Sequence, residues 1–435
     1  MEIDLDKIKN IYFIGIGGIG ISAIAQMMNL AGKNVSGSDI SQSPITEKIS
    51  QMGIKVHIGQ TAKNISHNID LVVRTIAVPE DNSEILEAQK KGLRIVTYPE
   101  MLSVISKNMY TIAVSGTHGK TTTTAMISKI MIEASLDPTV IVGSLMNDSG
   151  SNLVVGKSNY FLVEACEYKR SFLNLYPKIL VITNIDEDHL DYYKDIKDIQ
   201  SAFRELAERI PKDGVIICDS SDPRLKPVIE NLKTKIIDYT SVKTDLDLKI
   251  PGKHNIQNAY ASISVADFLG IDKSKAISSL QNFTGTWRRF DLKGKTKNGS
   301  IVYDDYAHHP REIIATLLGA REKFPDKKIT VFFQPHLFSR TKILLEDFSK
   351  SFTEADKVYI LPIYPARETF DPTINSEMLT EKINSNGKPA KFIKNFEEAE
   401  RIISSFDSNN VILTMGAGSV YKICQNIINN KIFKE

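Results

Sequence analysis

The run Gly116-Thr117-His118-Gly119-Lys120-Thr121-Thr122 concentrates the residue types most able to act on a phosphate. It follows an apolar stretch, Tyr110 to Val114, and leads into residues 125–132, whose apolar positions recur at helical spacing. A glycine loop between a strand and a helix points backbone N–H groups and the positive end of the helix dipole at one spot. Lys120 adds a cation that reaches β- and γ-phosphates, and the Thr121 hydroxyl is placed to bind Mg²⁺. The strict eight-residue phosphate-loop pattern has glycine where this chain has Val114, so the loop is a shortened variant. The chemistry expected is hydrolysis of, or transfer from, ATP.

A second glycine loop, with Gly15, Gly17, Gly18 and Gly20, follows the short strand Ile11 to Ile14. A helix is predicted from Ile21 to Leu30, closed by Gly32, and a second strand from Asn34 ends at Asp39. This pattern in a βαβ setting fits a nicotinamide dinucleotide, with Asp39 on a ribose hydroxyl. It fits the diphosphate of a UDP-sugar as well, because the glycines let any diphosphate approach a helix N-terminus.

Further polar residues gather at strand ends. Tyr160 to Val163 runs into Glu164-Ala165-Cys166-Glu167, and Ile179 to Ile182 runs into a polar stretch containing His189. Glu164 is placed to complete a Mg²⁺ site with Thr121, and His189 is a second metal ligand or a general acid/base. Cys166 is expected to pack, with nothing nearby to activate a thiol. A later helix opens with His254, Asn255 and Asn258 on one face, which suits a nucleobase edge and equally an ordinary capped helix. Four more strands end in Asp304-Asp305-Tyr306-Ala307-His308-His309, Gln334-Pro335-His336 with Arg340, Tyr364 to Glu368 with Arg367, and Met415-Gly416-Ala417-Gly418-Ser419. Such strand ends line the ligand crevice of an open α/β sheet.

The elements that must position these residues alternate strand and helix along the chain, so the fold class is α/β with parallel sheets covered on both faces. At 435 residues the chain needs several domains. Its 54 basic and 52 acidic residues leave a net charge of +2, which favours neither nucleic acid nor membrane as a partner. Three scattered cysteines argue against a disulfide framework or a zinc site. The acidic start has no apolar signal core and no run is long enough for a membrane helix, so the expected location is cytoplasmic.

Taken together, the phosphate loop, His254-Asn255-x-x-Asn258 and Asp304-Asp305-Tyr306-Ala307-His308-His309-Pro310 resemble the ATP-dependent Mur ligases, which build the peptide stem of bacterial cell-wall precursors. The resemblance extends over the whole chain, including Gln334-Pro335-His336, Tyr364-Pro365-Ala366-Arg367-Glu368 and the Gly416–Gly418 motif. Gly15 to Ala25 and Met415 to Ser419 read as in the members that add L-alanine to UDP-N-acetylmuramate. The branch that recycles murein tripeptide differs there.

The resemblance implies three domains: a Rossmann-like UDP-sugar binder over 1–107, a central ATP-binding domain over 108–292, and a Rossmann-like amino-acid domain over 293–435. It assigns Gly15, Gly17, Gly18, Gly20, Asp39, Arg74 and Thr75 to the UDP-sugar. Gly116 to Thr122, His254, Asn255, Asn258, Arg289 and Asp305 go to ATP, with Arg288 as the alternative to Arg289. Thr121, Glu164 and His189 go to the metal. Lys120, His189, His308, His336 and Arg367 are the catalytic candidates, with His308 or His336 as the base for the incoming amine. The implied state is a monomer or weak homodimer. Two departures stand out: Gln200 to Arg204 lacks the modified lysine of some sister ligases, and Ala165-Cys166 precedes Glu167 where many relatives have aspartate, which weakens the case for Glu167 more than for Glu164. The competing classes are an NAD-dependent dehydrogenase, which leaves the phosphate loop unexplained, and a non-catalytic ATP-binding regulator.

Overall fold

Ile11 to Ile14, Ile112 to Val114 and Ile179 to Ile182 are buried along their whole length, as strands covered on both faces must be. The computed structural model describes residues 3–147, 150–190, 192–366 and 368–429. These apolar runs form the middles of sheets that follow one another along the chain.

The first sheet contains β1 (Asn10–Ile14), β2 (Asn34–Asp39), β3 (Lys55–Ile58), β4 (Leu71–Arg74) and β5 (Arg94–Thr97) in the order β3-β2-β1-β4-β5, all parallel. The strands on either side of β1 are reached in opposite directions, so its C-terminal end is a switch point of the kind that binds ligands. Its helices are α1 (Ile19–Leu30), α2 (Pro44–Gln51), α3 (Ser83–Lys90) and α4 (Tyr98–Lys107). α1 begins inside the glycine motif, earlier than its apolar spacing predicts. α4 starts where a Thr97–Glu100 capping box and Pro99 in the first turn favour it. Ser106 to Asn108 are the last turn and C-cap of this helix.

The central sheet contains β6 (Tyr110–Ser115), β7 (Thr139–Met146), β8 (Ser151–Val154), β9 (Tyr160–Glu164), β10 (Pro177–Ile182), β11 (Val215–Cys218) and β12 (Lys235–Asp238). Their order is β12-β11-β10-β6-β9-β7-β8, and the β7–β8 pair alone is antiparallel. Because β9 and β10 flank β6, the loops after these three strands meet at one edge. Its helices are α5 (Lys120–Glu133), α6 (Ile196–Glu208), α7 (Lys226–Ile229), α8 (Lys253–Phe268) and α9 (Lys273–Gln281). One apolar cluster runs from Phe13 and Ile24 of the first sheet to Phe161, Phe203 and Leu206 of the central one. The β7–β8 hairpin packs on α1, where Asn152 donates its side-chain amide to Ile19 O.

The third sheet contains β13 (Asp291–Lys295), β14 (Ile301–Asp305), β15 (Lys328–Phe333), β16 (Lys357–Ile360), β17 (Ala390–Phe392) and β18 (Asn410–Met415), ordered β13-β14-β18-β15-β16-β17 with β13 antiparallel. Helices α10 (Pro310–Lys323), α11 (Phe338–Ile343), α12 (Leu345–Ser349), α13 (Ser376–Ser385), α14 (Phe396–Ser404) and α15 (Tyr421–Asn429) connect its strands and close the chain. Contacts divide the molecule into two compact units. One comprises residues up to Thr244 with Tyr260–Ser279, and the other Asp245–Ala259 with residues from Leu280 onward. No helix among the described residues is long and apolar enough to cross a membrane.

Phe203 is fully buried on α6 and meets Phe172 edge-on at 5.1 Å, at the heart of the shared cluster. Phe203→Ala is expected to cost about 3–5 kcal/mol, read as a lowered urea midpoint for the unit that holds the first two sheets. A shift below about 1 kcal/mol would show that this cluster does not carry the unit.

Candidate active site

The phosphate loop is fastened to the segment that follows β10. Gly116 has φ +129°, and a Cβ there would strike the Thr183 hydroxyl, so only glycine lets the loop lie this close. Thr117 N–H donates to Asn184 O (3.0 Å), and His118 N–H donates to Asn184 Oδ1 (3.0 Å). Asp186 N–H donates to Thr117 Oγ1 (2.8 Å), while His118 Nε2 lies 3.5 Å from Asp186 Oδ2. Gly119, at φ +83°, is the N-cap of α5, which places Lys120, Thr121 and Thr122 in its first turn.

Lys120 does not project into solvent. Its Nζ donates to Gly116 O (2.5 Å), Thr117 O (3.0 Å) and Glu167 Oε1 (3.0 Å). Burial alone would lower its pKa, but the charges of Glu167, Cys166 and Glu164 outweigh that and push it up to about 12. Glu167, discounted against Glu164 on sequence grounds, is the group this lysine needs. It is 3% exposed, and its Oε1 also lies 3.7 Å from His189 Nε2. Glu167 Oε2 lies 3.0 Å from Lys120 Nζ, yet no hydrogen bond of good geometry reaches it. An acid on the same strand-end loop as Glu164 was the available signal.

The proposed metal ligands fall into two neighbouring sets. Thr121 Oγ1 donates to Glu164 Oε2 (2.9 Å), and Gly143 N–H donates to the same oxygen (2.8 Å). His189, held at φ +54° with its ring 4.8 Å from Tyr168, sits with Glu167. Among the described residues no three His, Cys, Asp or Glu side chains converge. Thr121 and Glu164 offer only oxygens, which fits a hard cation that keeps waters and takes phosphate oxygens as its other ligands. Where sister ligases place a modified lysine, Gln200 donates to Arg224 O (2.8 Å) and Arg204 pairs with Glu208 (2.7 Å) on α6. Cys166, expected to pack, is exposed.

In the first sheet the glycine loop closes on itself. Gly15 and Ile16 N–H donate to Ser38 O, and Gly18 N–H donates to Gly15 O. Asp39 accepts the Gly17 N–H (2.8 Å) through one oxygen and so braces the loop from within. The amides of Ile19 and Gly20, first in α1, donate to no described group, and a helix N-terminus is where an anion binds. Thr75 packs against Gly15. Arg74 is not brought to this loop: it turns to the α3 side of the sheet, where it pairs with Glu80 and donates to Val78 O (3.3 Å).

One cavity reaches from the start of α1 to Glu164, the partner of Thr121. A space of about 100 Å³ has Gly20 on one wall and Gly143 and Glu164 on another.

In the other unit, α8 begins at Lys253, so Asn255 lies within the first turn and its amide donates back to Pro251 O (2.7 Å). Asn258 donates to Asn255 Oδ1 (3.2 Å), and both amides are buried. His254 is beside them in the same turn. Arg288 is buried and structural. It donates to Asp304 (2.7 Å), to Gly418 O (3.0 Å) and to Gly416 O, with the rings of Tyr421 and Tyr306 at 4.9 and 5.2 Å. Arg289 is the more open of the two, 5.1 Å over Tyr306 and 3.9 Å from Glu312. Asp305 accepts from Phe290 N–H (2.7 Å) and Ala307 N–H (2.8 Å), so it holds the backbone that presents Arg289. His308 lies 3.2 Å from Glu312, its ring is 6.0 Å from that of His336, and His336 lies 3.3 Å from Arg340. His308, Glu312, His336 and Arg340 form one cluster; Arg367 lies outside the described residues.

Three family profiles match in order: "Mur ligase family, catalytic domain" over residues 10–110, "Mur ligase middle domain" over 114–245 and "Mur ligase, glutamate ligase domain" over 288–418. The chain is 43% identical to a UDP-N-acetylmuramate–L-alanine ligase of Clostridium kluyveri, covering 99% of this chain and 100% of that one. It is 42% identical to the protein of the same name from Caldanaerobacter subterraneus, covering 97% and 98% of the two chains. Among solved structures, the UDP-N-acetylmuramate-alanine ligase of Thermotoga maritima matches with a TM-score of 0.83 at 29% identity, over 98% of this chain and 100% of that one.

Burial pushes the Asp305 carboxyl up to about 6, against the pull of Arg289 and the two amides. The folded state therefore holds a proton that the unfolded chain, at about 4, has already released. The contribution of Asp305 to stability is greatest below pH 4 and is lost as pH rises through 6, by at most about 3 kcal/mol. Urea unfolding followed through Trp287, the sole tryptophan, should show the difference between wild type and Asp305→Asn changing from about pH 4 to 6 and flat above about pH 7. A constant difference across that range would refute the raised carboxyl.

Proposed function

We infer the function from one premise: this chain belongs to the Mur ligase family. It is an ATP-dependent ligase that joins L-alanine to the lactyl carboxylate of UDP-N-acetylmuramate in peptidoglycan precursor synthesis, as its full-length likeness to alanine-adding ligases supports. The observation in the molecule that carries the reading is the shared cavity, which connects the start of α1 to Glu164 beside the phosphate loop. A sugar nucleotide with its diphosphate on the α1 amides extends its far end toward the γ-phosphate of ATP.

A carboxylate does not acylate an amine at neutral pH, because oxide is a very poor leaving group. Transfer of the γ-phosphoryl group to the lactyl carboxylate gives an acyl phosphate, from which phosphate leaves. The alanine amine then attacks the carbonyl carbon, and ADP and phosphate are released. Two anions meet in the first step, and Lys120 is the cation positioned to screen them once it exchanges Glu167 for phosphate oxygens. Thr121 and Glu164 would hold Mg²⁺, with His189 as the nearby imidazole; the ion supplies further charge neutralisation when bound. Glu167, 3.7 Å from His189 Nε2, would remain beside that imidazole. In the C-terminal domain His308 and His336 are the candidate bases for the amine, with Arg340 and Arg367 as partners for the amino-acid carboxylate. His254, Asn255, Asn258 and Arg289 are assigned to the nucleotide, with Asp305 acting through Arg289.

Phosphate release from ATP should require both UDP-N-acetylmuramate and L-alanine, and Lys120→Ala should lower it by at least ~10²–10³-fold. Glycine and serine in place of alanine measure the amino-acid preference. Chelation with EDTA should abolish turnover and added Mg²⁺ restore it. Release that proceeds without the sugar nucleotide would refute the ligase reading.

A further inference from the structure

The cavity that joins the two sites has a single polar group from the first sheet at its mouth. Tyr98 opens α4 directly after β5. Its ring lies on the first turn of α1: a Cβ on Gly20 would come within 2.7 Å of the ring Cζ and 2.8 Å of the hydroxyl oxygen. That hydroxyl makes no hydrogen bond with any described residue, although every neighbouring loop amide up to Gly18 is paired. Burial, with the charges of Glu164 and Cys166 adding to it, pushes the phenol well up, so the hydroxyl stays protonated and is a donor at any ordinary pH. Tyr98 is half-buried and lines the cavity, so its hydroxyl is a donor available to an acceptor on a ligand placed there.

Leu102, Ile141, Val142, Phe172 and Leu175 give the cavity an apolar side, while Glu164, Cys166 and Ser171 line it from the central sheet. A single water needs only ~10–15 Å³, so about 100 Å³ admits several heavy atoms. An occupant with an acceptor for the Tyr98 hydroxyl and an apolar group for the side formed by Leu102 and Phe172 fits this space. With the diphosphate on the α1 amides and the lactyl carboxylate near Lys120, the part of the substrate between them is the sugar ring. Its acetamido group combines a methyl, for the apolar side of the cavity, with a carbonyl acceptor, for the Tyr98 hydroxyl.

We propose that Tyr98 is a substrate-positioning residue, its hydroxyl donating to the N-acetyl carbonyl of the sugar nucleotide while the adjoining cavity seats the acetyl methyl. The proposal rests on the ligase reading for the identity of the sugar. It makes the first sheet a reader of the sugar's N-acetylation as well as an anchor for its diphosphate.

The test is isothermal titration of the full chain, wild type and Tyr98→Phe, with UDP-N-acetylmuramate, with its N-deacetylated analogue and with UDP. The variant should bind the acetylated sugar nucleotide about tenfold more weakly, the scale of one hydrogen bond, and bind the other two as the wild type does. The KM for UDP-N-acetylmuramate should rise in step, with the KM values for ATP and alanine unmoved. Val142→Phe, which fills the cavity and leaves the hydroxyl in place, should also weaken only the acetylated ligand. Unchanged affinity in Tyr98→Phe, or an equal loss for UDP or for the deacetylated analogue, would overturn the proposal. Binding is read without turnover, so a chain that bound the sugar nucleotide but formed no product would overturn the ligase reading alone.

Discussion

A buried lysine must be neutralised before its substrate arrives, and the pairing of Lys120 with Glu167 meets that requirement. Without Glu167, desolvation would strip Lys120 of its proton or drive it out of the loop. With it, the cation is retained, folded back over Gly116 and Thr117 where phosphate oxygens have to come. Glu167 in turn cannot be left alone at this depth, and His189 stands on its other side. The strand order is what makes the arrangement possible, since β6 lies between β9, which leads to Glu167, and β10, which leads to His189. Tyr193 locks the loop further by donating its hydroxyl to Glu167 O (2.5 Å).

The second unit applies the same logic to a different end. Two adjacent carboxylates, Asp304 and Asp305, point to opposite sides of β14 and hold the segment Arg288–Phe290 from both. Arg288 and Phe290 both have positive φ, at 61° and 47°, a conformation that costs energy unless the surroundings impose it. The pair of carboxylates imposes it, and Arg289 is turned out between them. The Gly416–Gly418 loop is fixed by the same guanidinium through its two carbonyls.

Much of this was legible in the sequence because it rests on local rules. Strands buried on both faces read as unbroken apolar runs, and both glycine loops stand where a strand meets a helix. Lys120, Thr121, Glu164, His189, His308 and His336 announce themselves by type and by position at strand ends. What escaped depends on side-chain direction. Nothing in the spacing says that Asp39 turns inward to Gly17, that Arg74 faces the α3 side of its strand, or that Asp305 is occupied by backbone amides. Arg288 and Arg289 are adjacent and chemically alike, and only tertiary packing makes one a buried brace and the other a presented cation. Tyr98 carried no signal, since one tyrosine at a helix start looks like any other.

The apolar cluster that α1 shares with the central sheet has a consequence for how the chain is made. Synthesis completes β5 at Thr97, but the hairpin that covers α1 is not finished until Val154. At ~5–20 residues per second, the ribosome leaves the face of α1 uncovered for several seconds. The nascent first sheet is thus half-roofed during that interval, with the apolar face of α1 open to other contacts. Cell-wall synthesis begins, for each new copy of this enzyme, with that wait.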